Sequence, residues 1–165
     1  MGMGDAIRAC ITKYFVFSGR ASRREYWWFF LFTVLVGFAA GIVDAALVGD
    51  AGSERSETEA TGWIGSVWSL ATLIPGLAVG WRRMHDSGRS GLHLLYPLIV
   101  MAGIGSFAAI VVGIPDGPVQ DASIVVLVLA GLVFLVSPLL VIWWLTRPSD
   151  PEPNRYGPPP PEVRT

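Results

Sequence analysis

Four long apolar runs leave this 165-residue chain few folding options. They cover about residues 26–48, 63–81, 92–114 and 124–145, each close to the roughly 20 residues a helix needs to cross a hydrocarbon core of about 30 Å. One such run could be the buried helix of a soluble domain. Four in a chain this short leave no amphipathic helices to cover them. Hydrophobic residues reach 52% and charged residues only 15%, against about 25% charged in soluble domains. The sequence therefore predicts an all-α integral membrane protein, a four-helix bundle in a single domain over residues 1–157.

The charges are sorted by connection. Arg8, Lys13, Arg20, Arg23 and Arg24 precede the first run; Arg82, Arg83 and Arg89 lie between the second and third; Arg147, Arg155 and Arg164 follow the fourth. The two other connections hold only Arg55 but six acids: Asp50, Glu54, Glu57, Glu59, Asp116 and Asp121. Basic flanks stay cytoplasmic during insertion, so both termini are expected on the cytoplasmic side. Trp27, Trp28, Trp81, Trp143 and Trp144 fall at the basic ends and Trp63 at an outer end, at headgroup level. No cleavable signal pattern precedes the first run, which is expected to serve as its own anchor. With Cys10 the only cysteine, an intrachain disulfide and a multi-cysteine metal site are excluded.

Inside the runs, Gly37/Gly41 and Gly76/Gly80 form two GxxxG pairs, expected to serve packing within the chain rather than a dimer face. Pro75, Pro97 and Pro138 are expected to kink the second, third and fourth spans as packing features. Asp44 lies about 27 Å along the first helix from Tyr26, near the outer interface, and is expected to snorkel to water.

The basic segments carry more pattern than insertion requires. Ile7, Cys10, Ile11, Tyr14 and Phe15 recur on one face, predicting an interfacial helix over about residues 5–16. Ser18-Gly19 ends it, and Ser22-x-x-Glu25 reads as a capping box at the start of the first span. In the connection between the second and third runs, Gly88 suits a left-handed helix C′ position and Ser90 the N-cap of the third span. Arg89, Ser90 and the N–H groups of Gly91 and Leu92 would then sit at a positive helix end suited to a phosphate. His85 and Asp86 lack the further ligands a catalytic metal needs. No cofactor, metal site or nucleic-acid surface is expected. The final 19 residues contain seven prolines. Asn154-Arg155-Tyr156-Gly157 reads as a turn able to return to the membrane surface, with residues 158–165 a disordered proline-rich tail.

Three separated motifs, residues 17–27 (FSGRASRREYW), 83–91 (RMHDSGRSG) and 154–157 (NRYG), occur in this order. Through them the chain resembles the bacterial domain-of-unknown-function 805 family of YhaH-like inner-membrane proteins. It departs at Leu92, where a tryptophan is expected, and at the proline directly after Gly157. The resemblance implies a small multi-span protein of a bacterial inner membrane and transfers no catalytic residue. The function expected is non-enzymatic: an Arg-rich cytoplasmic face binding an anionic lipid headgroup or a protein partner. Arg20, Arg23, Arg24, Arg83 and Arg89 would converge at the amino end of the third span, with Ser90 capping it. Asp86 would orient one arginine beside His85, and Asn154, Arg155 and Tyr156 would cover the site. Two alternatives stay open. One is a small transporter or channel, oligomeric, using Asp44, Ser66, Ser69, Thr72, Ser106 and Ser137. The other is a lipid-acting enzyme using His85 and Asp86.

Overall fold

The computed structural model describes residues 1–49, 62–111 and 118–163; of the six acids in the two acid-rich connections only Asp121, in the first turn of Pro118–Thr146, is among them. Six helical elements position the site: α1 Met3–Thr12, α2 Arg23–Gly49, α3 Trp63–Asp86, the 3₁₀ turn Gly91–Leu95 that runs into α4 Tyr96–Val111, and α5 Pro118–Thr146. All four predicted spans are helices long and apolar enough to cross a bilayer. Three outgrow their predicted ends: α2 starts at Arg23, α3 continues to Asp86, and α5 starts at Pro118. No strand occurs among the described residues; Asn154 and Gly157 form an isolated bridge.

Helix α2 packs along α3 and α4 along α5, while α1 lies against α2 and α3. The two hairpins meet at the arginine-rich end, where Met84, Val141 and Leu145 form a buried cluster with Tyr26, Trp27, Leu94, Tyr96 and Trp144 around it. Burial is inverted relative to a soluble protein. Phe38 and Leu135 are 71% and 70% exposed, whereas Arg83 and Asp86 are at 0%. Lipid tails solvate the outward faces, and polar groups at the end of the bundle bury one another.

Each proline in the spans frees a backbone carbonyl four residues earlier, and each such carbonyl is met. The Ala71 carbonyl, opposite Pro75, accepts from the Tyr14 hydroxyl at 2.6 Å. The Phe134 carbonyl, opposite Pro138, accepts from the adjacent Ser137 hydroxyl at 2.8 Å. Pro97 does not interrupt a helix as expected. It sits in the first turn of α4, where its N–H is not needed, and the His93 carbonyl takes the Tyr96 N–H instead.

The glycine pairs divide. A Cβ on Gly37 would touch the Trp68 indole at 3.5 Å, and one on Gly80 would strike Leu94 at 2.8 Å. Gly41 and Gly76 face open space. Trp68, placed deep in its span, donates its indole N–H to the Thr33 carbonyl at 3.0 Å and ties α2 to α3.

Asp44 does not snorkel. Its carboxylate is buried and accepts the N–H groups of Ile64 at 3.2 Å and Gly65 at 2.8 Å. These are first-turn donors of α3 with no intrahelical partner, so α2 supplies the N-cap of its neighbour across the interface. Gly62 permits the approach: a Cβ there would lie 2.2 Å from Asp44 Oδ2.

Helix α1 is shorter than expected and its inward face is shifted. Ala6 and Cys10 are fully buried, whereas Ile11 and Phe15, expected on the same apolar stripe, are 58% and 71% exposed. Cys10 packs with Ala21, Phe29 and Val79. The tail from Pro158, expected to be disordered, has structure through Val163. Pro159 and Pro160 are buried, Pro161–Val163 is a 3₁₀ turn, and Glu162 lies 3.3 Å from the Met1 amine.

Candidate functional site

Three local structures bring the motifs together. Gly19, at φ 84°, turns the chain after α1 so that Ala21 can donate its N–H to the Arg82 carbonyl at 3.1 Å. Ser22 Oγ then caps α2 by accepting the Glu25 N–H at 3.1 Å. The reciprocal half of the capping box is diverted, because a Glu25 oxygen takes Arg82 Nη1 at 2.7 Å. At the end of α3, Gly88 adopts φ 73° and donates to the His85 carbonyl, while Arg89 donates to the Met84 carbonyl. That pairing is the Schellman motif expected of a glycine at C′. In the tail, Asn154 Oδ1 accepts the Tyr156 N–H at 2.9 Å, and Gly157 closes the turn at φ 125°.

Asp86 is the hub. Its Oδ1 accepts Arg20 Nε at 2.9 Å and its Oδ2 accepts Arg83 Nη1 at 2.5 Å, all three side chains being buried. Arg20 spends its other donors on main-chain carbonyls, those of Glu152 at 2.8 Å, Asp150 at 2.5 Å and Gly157 at 3.4 Å in the tail and that of Asp86 itself at 3.3 Å. Arg83 donates to the carbonyls of Leu145 at 3.0 Å and of Arg147, capping the carboxyl end of α5 with positive charge. The Asp150 N–H closes the ring on the Asp86 carbonyl at 3.0 Å. Six main-chain carbonyls thus share the load of two guanidinium groups on one carboxylate. A buried cation must find such partners or neutralise, so the network has nothing left for an external anion.

His85 is held on every side. Its Nδ1 lies 3.0 Å from the Gly19 carbonyl, its carbonyl accepts Asn154 Nδ2 at 3.0 Å, and its ring stacks on Tyr156 with centroids 3.7 Å apart. Arg155 lies over the Tyr156 ring at 4.7 Å. The 154–157 turn is therefore docked on the end of α3, with Arg155 exposed.

The arginines do not converge at the amino end of the third span. Ser90 caps the 3₁₀ turn there by accepting the Leu92 N–H at 3.4 Å, but the Trp81 indole lies against Gly91, where a Cβ would be 2.0 Å away. Arg89 stands over the Trp144 ring at 5.5 Å. Arg23 and Arg24 form a separate pair. Both are exposed, and neither has an ion-pair partner among the described residues. With Trp27, Trp28 and Thr146 they line a pocket of about 540 Å³. With Ser22, Pro148, Ser149 and Glu162 they line another of about 270 Å³.

Sequence reasoning missed three participants. Arg82 is 1% exposed and pairs with Glu25, and its Nε and Nη2 are buried with no hydrogen-bonding oxygen or nitrogen among the described residues. Glu25 read as a helix cap because the Ser-x-x-Glu spacing is local, while its ion pair spans 57 positions. Asp150 joins the network through its backbone N–H and carbonyl, which no residue-type pattern reveals, while its carboxylate accepts from Asn154 Nδ2 at 3.4 Å.

Four lipid-compatible helices closed at one end by a buried arginine–carboxylate network define a polytopic α-helical membrane protein. The chain belongs to the family described as "Protein of unknown function (DUF805)", which matches residues 14–158. It is similar to "Inner membrane protein YhaH" of Escherichia coli K12, at 34% identity over 93 residues, covering 56% of this chain and 72% of that one. It is also similar to "Inner membrane protein YhaI" of the same strain, at 34% identity over 93 residues, covering 56% and 70%. No solved structure matches the chain.

Proposed function

We propose that this protein is a non-enzymatic component of a bacterial inner membrane, with both termini cytoplasmic, and that it binds an anionic lipid headgroup between Arg23 and Arg24. The observation that carries this reading is that adjacent, exposed guanidinium pair beside Trp27 and Trp28, without an ion-pair partner among the described residues. A guanidinium presents a planar donor fork to phosphate oxygens, and tryptophan settles at headgroup depth. Arg20, Arg83 and Asp86 serve as the scaffold that seats the tail beside the pocket, and do not contact the lipid.

The other two readings fare worse. Every hydroxyl that might line a transport path is spent on its own helix: Ser66, Ser69, Thr72, Ser106 and Ser137 each donate to a carbonyl three or four residues earlier. His85 is packed as a structural side chain, with its ring face covered by Tyr156. A general base needs open reach to the proton it takes.

Native mass spectrometry of the solubilised protein with phosphatidylglycerol and phosphatidylcholine tests the proposal. At about 1 kcal/mol per arginine, the pair gives roughly a 30-fold preference for the anionic lipid. The double variant Arg23→Ala/Arg24→Ala abolishes that preference and Arg89→Ala keeps it. Equal retention of both lipids by the parent protein sinks the reading, and unchanged selectivity in the double variant moves the site elsewhere.

A further inference from the structure

The contacts of the N-terminal segment with α3 set its depth. Gly19 meets His85, Ala21 meets Arg82, Phe17 packs edge-on against Trp81, and Cys10 packs with Val79. Tyr14 then reaches the carbonyl of Ala71. At about 1.5 Å per residue, Ala71 lies roughly 15 Å along α3 beyond Trp81 and roughly 22 Å beyond Asp86. The chain therefore goes down along α3 through α1, turns near Tyr14, and comes back to the level of His85 by Gly19. Trp81 marks the headgroup level, and half a hydrocarbon core is about 15 Å thick. The Tyr14 hydroxyl is thus well below the interface, within one leaflet, with the backbone of the turn shallower by the length of the tyrosine side chain.

The surface at the turn matches that depth. Ile11, Phe15, Val16 and Phe17 are 58%, 71%, 40% and 36% exposed, although Ala6 and Cys10 close the opposite face against the protein. Arg8 and Lys13 are exposed too. A lysine beside the turn can lay its methylene stem along apolar surface while its ammonium returns to the interface. The Tyr14 hydroxyl would be costly at this depth without a partner, and the carbonyl left open by Pro75 supplies one.

We propose that residues 3–17 form a re-entrant wedge in the leaflet at the arginine-rich face, and that the partner covering Ile11, Phe15 and Val16 is the acyl-chain region of the bilayer, with Phe17 at headgroup level beside Trp81. The wedge adds cross-section to one leaflet only, so it fits a membrane in which that leaflet is loosely packed. It requires no headgroup site at Arg23 and Arg24.

Nitroxide labels at Phe15→Cys and, separately, Ile11→Cys in the full chain reconstituted into vesicles test this. The unsubstituted chain, with Cys10 buried, is the labelling blank. Collisions with oxygen and with a water-soluble nickel chelate are compared against a label at Glu152→Cys. Both wedge sites should show an oxygen-to-chelate ratio higher by about tenfold, the ratio that ~1.4 kcal/mol of partitioning gives. Adding Tyr14→Phe should lower that ratio by releasing the turn from α3. A ratio equal to that at Glu152 overturns the wedge. Low collision rates with both reagents also overturn it, since protein, such as a second copy of the chain, then covers the surface.

Discussion

Arg20, from the segment ahead of the first span, and Asp86, from the last turn of the second, form a buried ion pair at 2.9 Å across 66 positions of sequence. Asp86 holds Arg83 as well, so its removal strands two guanidinium groups away from water. Breaking such an arrangement costs about 3–5 kcal/mol, whereas an exposed pair costs under about 1. Asp86→Ala should therefore lower the unfolding midpoint in mixed micelles sharply and expose the 147–157 segment to protease. A variant that keeps both the parent's midpoint and its cleavage pattern would show that the hub does not hold the tail.

The Asp44 cap makes a smaller and more local prediction. Loss of an N-cap acceptor costs about 0.5–2 kcal/mol. Asp44→Ala should destabilise by that amount and speed hydrogen exchange at the Ile64 and Gly65 amides, with Asp44→Asn in between. Unchanged exchange at both amides would mean the carboxylate satisfies neither.

Cys10 should behave as a buried probe of α1. Burial pushes its thiol up to about 12 from the ordinary 9.0, the Glu25 carboxylate adds to the rise, and Arg82 opposes it. The raised value in the folded state means that the neutral thiol favours folding below about pH 9, and that this contribution is lost as pH climbs towards 12. Alkylation by iodoacetamide at pH 8 should be slow in the folded protein and fast after denaturation. Equal rates would place Cys10 at the surface.

Glycine substitutions should separate by contact rather than by motif. An Ala Cβ at Gly91 meets the Trp81 ring at 2.0 Å, and at Gly80 it meets the flexible Leu94 side chain at 2.8 Å. Overpacking of this kind costs about 1–3 kcal/mol, with Gly91→Ala at the upper end. Gly41→Ala and Gly76→Ala, which face open space, should leave thermal stability in detergent unchanged. A destabilising Gly41→Ala would point to a contact beyond this chain.

Much of the architecture lies in local pattern. Hydropathy alone determined four helices, because run length and the loss of water dictate a helix wherever the run sits. Gly88 and Ser90 announced their turn and cap because those roles depend on φ and on a side-chain oxygen two residues from its donor. The charge map sorted the connections, though Arg23, Arg24, Arg20 and Arg83 look alike within it. Only the tertiary structure separated them: two saturated on Asp86 and on main-chain carbonyls of the tail and of the carboxyl end of α5, two exposed beside Trp27 and Trp28. It also decided that Asp44 caps a neighbouring helix, that Tyr14 fills the gap Pro75 leaves, and that Glu25 abandons its box for Arg82. Each of these depends on which helix faces which and at what height. Helical period and residue type are local quantities, whereas the partner of a buried charge is settled by packing between segments far apart in the chain.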